Sequence, residues 1–470
     1  MNRRTGKLAL ALGLFIVLFS LVGSALAAPN ISGLSPSSGA IGASVTISGT
    51  GFGTTQGSGT VSFNGTTTTV TSWNDTSLIM TVPTGATTGN VVVFASGVNS
   101  NGAAFTVTSP YAYSLAISID HTKVPNTDQT NFPVLISGTY PFLATTANGG
   151  SITNANGYDI AFTADAAGAS PLAFECESYS ASTGAVVFWV KVPTVSHTTD
   201  TVVYVLFGNS SITTDQSNRN GVWDSNFAGV WHLPNGTTLS SNDSTVNGNN
   251  ATIYGTPAAT AGQIGGAATF GASTADYLQA GDSPSLRIPS TVTLSAWIYN
   301  TSDNSNGGMI AEKRDATNPG SNYNYGLSLQ PGGQLLFQFN DGSYQSSFSP
   351  TGVVPKNTWA HVAVSVNEST QLVTFYVNGA LNSTTTKSGT MPSSGSGVLQ
   401  IGNYGTYGGG GFSFEGILDE VRISSSVRVR VSRRPSAVQV FLDPCCIMFA
   451  GARLGKKVRP ETANQHQAGD

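Results

Sequence analysis

"LVTFYVNG", residues 372–379, carries the pattern from which the fold is read. Val373, Phe375 and Val377 alternate with Thr374 and Tyr376, so an extended chain here turns one apolar face inward. Asn378-Gly379 then closes the segment, and both residues tolerate the positive φ that a two-residue hairpin demands. The same alternation recurs outward from this point. Val292, Leu294, Ala296 and Ile298 share one face of "TVTLSAWIY" (291–299), as do Val362, Val364 and Val366 in "HVAVSVN" (361–367). Asp341-Gly342, after "LLFQFN", repeats the hairpin signal more weakly. Residues 221–428 are long enough for a two-sheet jelly roll.

Two further segments show the same texture. In residues 29–108, Val45 and Ile47 alternate with Thr46 and Ser48, and Gly49, Gly51 and Gly53 permit a tight turn. "TVSFNG", "SLIMTVP", "NVVVFASG" and "AAFTV" follow at near-regular spacing, as in a small sandwich. In residues 111–208, "SLAISID", "NFPVLISG", "YDIAFTAD", "AVVFWVKVP" and "DTVVYVLFGN" read as strands of a middle β domain. The expected class is all-β throughout. Composition agrees: of 470 residues 55 are Gly, and only 9% are charged, which suits turns and short strands better than long surface helices.

The ends differ from the body. Arg3, Arg4 and Lys7 precede an apolar run from Leu8 to Val22, and Ala25-Leu26-Ala27 supplies a small-residue exit, the signature of a secretory signal over residues 1–27. The run is short for the ~20 residues that a membrane span needs. Residues 429–470 lose the Ser/Thr/Gly texture and hold seven Lys/Arg against three Asp/Glu. They read as a shifted frame in preference to a genuine basic tail. Between these ends 10 Lys/Arg face 21 Asp/Glu, a net of −11, which argues against a nucleic-acid partner. Three cysteines cannot build a disulfide framework, and Cys176 is expected to be structural.

Three family resemblances rest on these strings. "LSPSSGAIGASVTISGTGFG", "VSFNG" and "TSLIMTVPTGATTGNVVVF" resemble the immunoglobulin-like IPT/TIG domain. "NFPVLI", "GYDIAFTA", "FWVKVP" and "YVLFGN" resemble the bacterial domain of unknown function 2341. "AGVWHL", "DSTVNGNNAT", "IGGAATFG", "TLSAWIY", "WAHVAVSV", "VTFYVNG" and "GILDEVRI" resemble the laminin-G-like, concanavalin A-like jelly rolls of bacterial surface proteins. The resemblance implies a secreted or cell-surface modular protein with no membrane span once the signal is removed.

Chemistry is sparser. In "NDSTVNGNN" (242–250), Asp243, Thr245 and Asn247 place oxygens at alternating positions, as calcium loops do, but Tyr254 occupies the position where an EF-hand needs an acid. The laminin-G-like resemblance implies a structural calcium held by Asp243 and Asp419, with Asn247 as a weaker third ligand. An Asx-turn at Asp243 is the plainer reading. Tyr323, Tyr325, Tyr404 and Tyr407 lie in two Asn/Gly-rich loops suited to stacking on sugar rings. Trp231, Trp297 and Trp359 are assigned to packing. Glu175 and Glu177 in "FECESY" have the spacing of a paired-carboxylate glycanase but are expected to face solvent. Asp419 and Glu420, being adjacent, are expected on opposite faces. Serine-hydrolase and zincin strings are absent, and His121, His197, His232 and His361 stand singly. The expectation is a non-catalytic protein whose jelly roll binds an extracellular polysaccharide or surface glycan. The alternatives are an adhesive surface protein with a cell-surface protein partner and, least favoured, a glycan-active enzyme.

Overall fold

The computed structural model describes residues 28–428 except 125–126, 235–237, 272–275, 303–306, 315–322, 393–396 and 404–411. Residues 1–27, read as a signal, and 429–470, read as a tail, therefore lie outside the described residues. The described part is nearly all β, and the chain divides into two compact units after Val107.

The first unit is a sandwich of two sheets, one of them ordered Asn30–Ser35, Ser44–Thr50, Ser77–Thr81, Val70–Trp73. The second sheet is built around Gly89–Ala95 and Thr60–Phe63. The alternation in "SVTISGT" has the expected outcome, since Val45 and Ile47 are fully buried with Phe63, Leu78, Val91, Val93 and Phe105. Gly49 is required by a close approach, because a Cβ there would sit 2.1 Å from the Asn30 carbonyl oxygen.

The second unit holds the middle module and the jelly roll. The middle module pairs Tyr113–Ile119, Thr201–Phe207 and Ile160–Thr163 in one sheet. Gln129–Thr139, Ala185–Val195 and Phe174–Tyr179 form the other, and Phe162, Phe174, Phe188 and Phe207 fill the space between. Cys176 packs against that core, and burial pushes its thiol up to about 12, which disfavours the thiolate.

The jelly roll stacks an 8-stranded sheet, centred on Gly416–Ser424, Thr291–Asn300 and Trp359–Asn367, on a 7-stranded one. Val292, Leu294, Ala296, Ile298, Val362, Val364, Val366, Val373 and Phe375 all enter the core between them. Val377 pairs with Ala380 across Asn378 (φ 51°) and Gly379 (φ 74°), the expected two-residue hairpin. At Asp341-Gly342 the pairing of Asn340 with Tyr344 leaves a three-residue loop instead.

A separate apolar cluster joins the two modules. It takes Leu135, Val187 and Trp189 from the middle module, Val222 and Trp223 from the connection, and Phe227, Val230, Ile264 and Trp297 from the jelly roll. Ile264 sits at the tip of the hairpin between Ala258–Ala261 and Gly266–Phe270.

Candidate functional site

Beside that cluster lies a group of ionisable side chains, Glu175, Glu177, His232, Glu420 and Arg422. Glu175 Oε1 accepts from Ser244 Oγ at 2.5 Å, and its Oε2 accepts from Trp223 Nε1 at 2.8 Å. Glu177 Oε2 accepts from Trp189 Nε1 at 2.9 Å. His232 spans the group: Nδ1 lies 2.7 Å from Glu420 Oε1 and Nε2 lies 3.3 Å from Glu175 Oε2. Its ring stacks on Trp189 at 5.6 Å and lies 5.5 Å from Trp223. Arg422 bonds Glu420 Oε2 and lies over both indoles, at 4.5 and 4.9 Å.

Two sequence expectations are corrected here. Glu175 is 6% exposed and the Glu177 side chain is fully buried, so the pair does not face solvent. Asp419 and Glu420 do not separate to opposite faces either. Ser295 pairs with Arg422 and Trp297 with Asp419, so two residues oppose Ala296, and Glu420 takes φ 54°. This bulge breaks the period of two, and Asp419, Glu420 and Arg422 are all buried while Val421 enters the jelly-roll core.

Burial sets the electrostatics. Burial, and then the Glu420 charge, push Glu177 up to about 8 and Asp419 well above the usual carboxylate range. For Glu420, burial is outweighed by the charges of His232 and Arg422, which hold it low. Burial opposes the charge on His232, yet Glu420 and Glu175 raise it well above the ordinary imidazole range.

Of the nominated metal ligands, Asp243 and Asn247 share the Thr245 hydroxyl as a partner, and Asp419 lies at the module junction. Asp243 is the anchor of its own loop: it accepts from the backbone N–H of Val230, Thr245 and Asn249 at 2.9, 2.9 and 2.8 Å and from Thr245 Oγ1 at 2.8 Å. That is the Asx-turn reading. Asn247 donates from Nδ2 to the Phe227 carbonyl at 2.8 Å and borders an open cleft of about 250 Å³ that also touches Asn226, Ser285 and Arg287. Asp419 accepts from the Ile264 N–H at 2.9 Å, at the module junction. Among the described residues, the triplets of His, Cys, Asp or Glu with ligand atoms within 4.8 Å are Asp120–His121–Asp200 and Glu177–His232–Glu420.

Of the nominated tyrosines, Tyr404 and Tyr407 lie outside the described residues, and only the backbone of Tyr323 is described, at the start of Tyr323–Gln330. Tyr325 is fully buried in the jelly-roll core and donates to the Leu286 carbonyl at 2.7 Å, so it offers no ring face to a ligand. Trp231 packs in the same core, whereas Trp297 belongs to the junction cluster with Trp359 against it.

Aromatic and polar groups line the outer side of the 7-stranded sheet, where Glu312, Gln338 and Gln400 are buried and Thr252 and Ser346 exposed. Thr252, Gln279, Gln400, Glu312, Gly326, Gln338 and Ser346 stand opposite one another from strand to strand across its whole width. The adjacent row, Leu278, Ile401, Ala311, Leu327 and Phe337, faces the core. Seven strands at ~4.8 Å spacing make the polar row roughly 29 Å long. Gln400 Nε2 donates to Gln279 Oε1 at 2.9 Å, and Gln338 Nε2 donates across Gly326 to Glu312 Oε1 at 2.6 Å. Tyr254 and Tyr277 stack at 4.6 Å at one end, Tyr254 being 38% exposed, while Tyr344 and Phe348 are 54% and 45% exposed at the other. Sequence alone does not single out these residues, because the row exists only once the strand register is known.

Three family models match the sequence. Residues 29–109 match the IPT/TIG domain, 156–230 the domain of unknown function DUF2341, and 271–430 the concanavalin A-like lectin/glucanases superfamily. No curated protein matches the chain. Among solved structures, domain 4 of an extracellular arabinanase from Geobacillus stearothermophilus, in complex with arabinotriose, is similar at 20% identity and TM-score 0.33, covering 42% of this chain and 91% of that one. The binding domain of Paraclostridial Mosquitocidal Protein 1 is similar at 14% identity and TM-score 0.35, covering 43% of this chain and 49% of that one. The CBM40 of a Ruminococcus gnavus sialidase, bound to α2,6 sialyllactose, is similar at 14% identity and TM-score 0.27, covering 30% of this chain and 80% of that one.

Proposed function

We propose that the protein is exported and binds an extracellular carbohydrate polymer without cleaving it, through the outer face of the 7-stranded jelly-roll sheet. The exposed aromatics at the two ends of the polar row, the Tyr254–Tyr277 stack and Tyr344 with Phe348, carry this reading. Over a buried middle of Gln400, Glu312 and Gln338, the Thr252 and Ser346 hydroxyls and the Gln279 amide offer donors and acceptors to sugar hydroxyls, and ring faces or edges suit the sugar C–H surfaces. The match of residues 271–430 to a lectin/glucanase superfamily supports it. A non-catalytic role is supported by Glu175 and Glu177, whose carboxylates are engaged by Ser244, Trp223 and Trp189 inside the junction. The immunoglobulin-like unit then serves as a spacer, and calcium has no part in the reading.

The test is retention of the full chain on a panel of insoluble polysaccharides, with reducing ends assayed in the supernatant. Retention on at least one polymer without new reducing ends is expected. Tyr254→Ala combined with Tyr277→Ala should weaken it at least ~10-fold, as loss of aromatic contact area does at a binding site. Release of reducing ends would make the protein an enzyme. Absence of retention on every polymer, or retention untouched by the tyrosine changes, would overturn this assignment of the face.

A further inference from the structure

The junction holds four buried carboxylates, Glu175, Glu177, Asp419 and Glu420, against two cations, His232 and Arg422. Fully ionised, the group carries two uncompensated negative charges, which a buried site does not tolerate. Two protons would close the balance, as would one divalent cation with one proton, because an imidazole that ligates a metal gives up its own charge.

Two observations separate these solutions. The first concerns hydrogen bonds. A protonated carboxyl gains an O–H that needs an acceptor. Glu177 Oε2 and Asp419 Oδ2 already accept from Trp189 and Ile264, while Glu177 Oε1 and Asp419 Oδ1 are buried with no hydrogen-bond partner among the described residues. Protons on both orphaned oxygens would leave two buried donors unmet, whereas a cation leaves only one proton to place.

The second is convergence. Glu177, His232 and Glu420 each bring one ligand atom within 4.8 Å of the others', and His232 Nδ1 lies 2.7 Å from Glu420 Oε1 and 3.7 Å from Glu177 Oε2. Ligands at ~2.0–2.2 Å from a tetrahedral ion stand about 3.4 Å apart, a value these two separations bracket. The other imidazole nitrogen faces Glu175 Oε2 at 3.3 Å, and Glu175 is itself fixed by Trp223 and Ser244. A carboxylate behind a ligating histidine is the arrangement that orients imidazole toward a metal.

We propose that Glu177, His232 and Glu420 bind one divalent ion of the first transition row, such as zinc or manganese, at the junction of the middle module and the jelly roll. An imidazole nitrogen suits these ions, whereas calcium prefers oxygen ligands alone. Glu177 comes from the middle module and Glu420 from the jelly roll, so the ion fastens one to the other. The proposal stands independently of carbohydrate binding.

Metal content of the purified full chain is measured by mass spectrometry. Melting temperature is then recorded after chelation and after adding Zn²⁺, Mn²⁺, Ca²⁺ or Mg²⁺ singly. About one equivalent of zinc or manganese, and a rise in melting temperature on restoring it, are expected for one tight site. Glu177→Gln keeps an acceptor for Trp189 and should weaken the ion at least ~10-fold. Co²⁺ should give a visible absorption band that His232→Gln removes. Three results would each overturn the proposal. One is no bound metal and no thermal response to any ion, with Glu177→Gln as stable as the parent, which would assign the balance to protons. The others are binding of calcium alone, and metal binding unchanged in both variants.

Discussion

Asp282 holds together two cations that the jelly roll treats differently. It pairs with Arg287, which is 41% exposed, and with Lys313, whose side chain is fully buried, through Lys313 Nζ at 2.8 Å. The Arg287 hydrogen bond, with Lys313 behind it, lowers the Asp282 carboxyl to about 2, while burial presses Lys313 downward. A depressed carboxylate stabilises the fold above its ordinary range and loses that contribution as the pH falls through its folded value. The window is therefore between roughly pH 4 and pH 2. Asp282→Asn leaves a buried ammonium without its counter-ion and should cost about 3 kcal/mol near neutral pH. Thermal midpoints between pH 2.5 and 7 check both parts: the parent should lose stability in the acid window, and the variant should start lower and change less. A variant as stable as its parent would show that the Gly397 carbonyl alone, to which Lys313 also donates, suffices for the lysine. At this scale little was legible beforehand. Tyr325 carries the same local sequence cues as an exposed loop tyrosine, and only the pairing of Lys313 with Tyr325 shows that it faces inward.

At the scale of elements, the hairpin with Ile264 at its tip reaches the middle module through two adjacent residues. Ile264 enters the shared apolar cluster, and a Cβ on Gly265, which holds φ 57°, would lie 2.3 Å from Glu177 Oε1. Ile264→Ala should cost about 3 kcal/mol through the cavity it leaves. Gly265→Ala should cost about 1–3 kcal/mol, because it combines a left-handed backbone with a clash against a buried carboxylate. Urea denaturation followed by tryptophan fluorescence reads both, since Trp189, Trp223 and Trp297 lie in the joint. If both changes cost under ~0.5 kcal/mol, in the range of surface substitutions, the hairpin tip bears no weight. Elements were the most readable scale. Strands such as Thr291–Asn300 and Leu372–Val377 follow from a period of two, and the Asn378-Gly379 hairpin from its φ requirement. The bulge at Glu420 was invisible because strict alternation sends that residue into the core. The polar row on the opposite sheet was equally hidden, since its seven members are scattered from Thr252 to Gln400 and meet only through register.

At the scale of the molecule, the sequence divides most visibly between residues 208 and 221, yet the structure is continuous there. Turn-rich residues 208–218 invite the reading of a linker between independent modules. The packing at the end of this stretch rules that reading out. Asn218 N–H bonds the Phe174 carbonyl at 2.7 Å, and Val222 and Trp223 pack between Trp189 and Phe227. A joint of buried aromatics and buried charge differs from a surface contact in its response to cutting and to salt. Exposed ion pairs are screened within ~3 Å at 1 M salt, whereas apolar burial is not weakened by it. A protease site placed at Thr213-Thr214 and cleaved in the folded chain should leave two fragments that co-elute on size exclusion, in 1 M NaCl as in dilute buffer. Separation on cleavage would mean that the covalent connection, and not the packing around Trp189, Trp223 and His232, keeps the modules together. Persistence would give the middle module a definite physical role: it covers the part of the jelly roll around Trp297 and Glu420, which no independently folding sandwich could leave open to water.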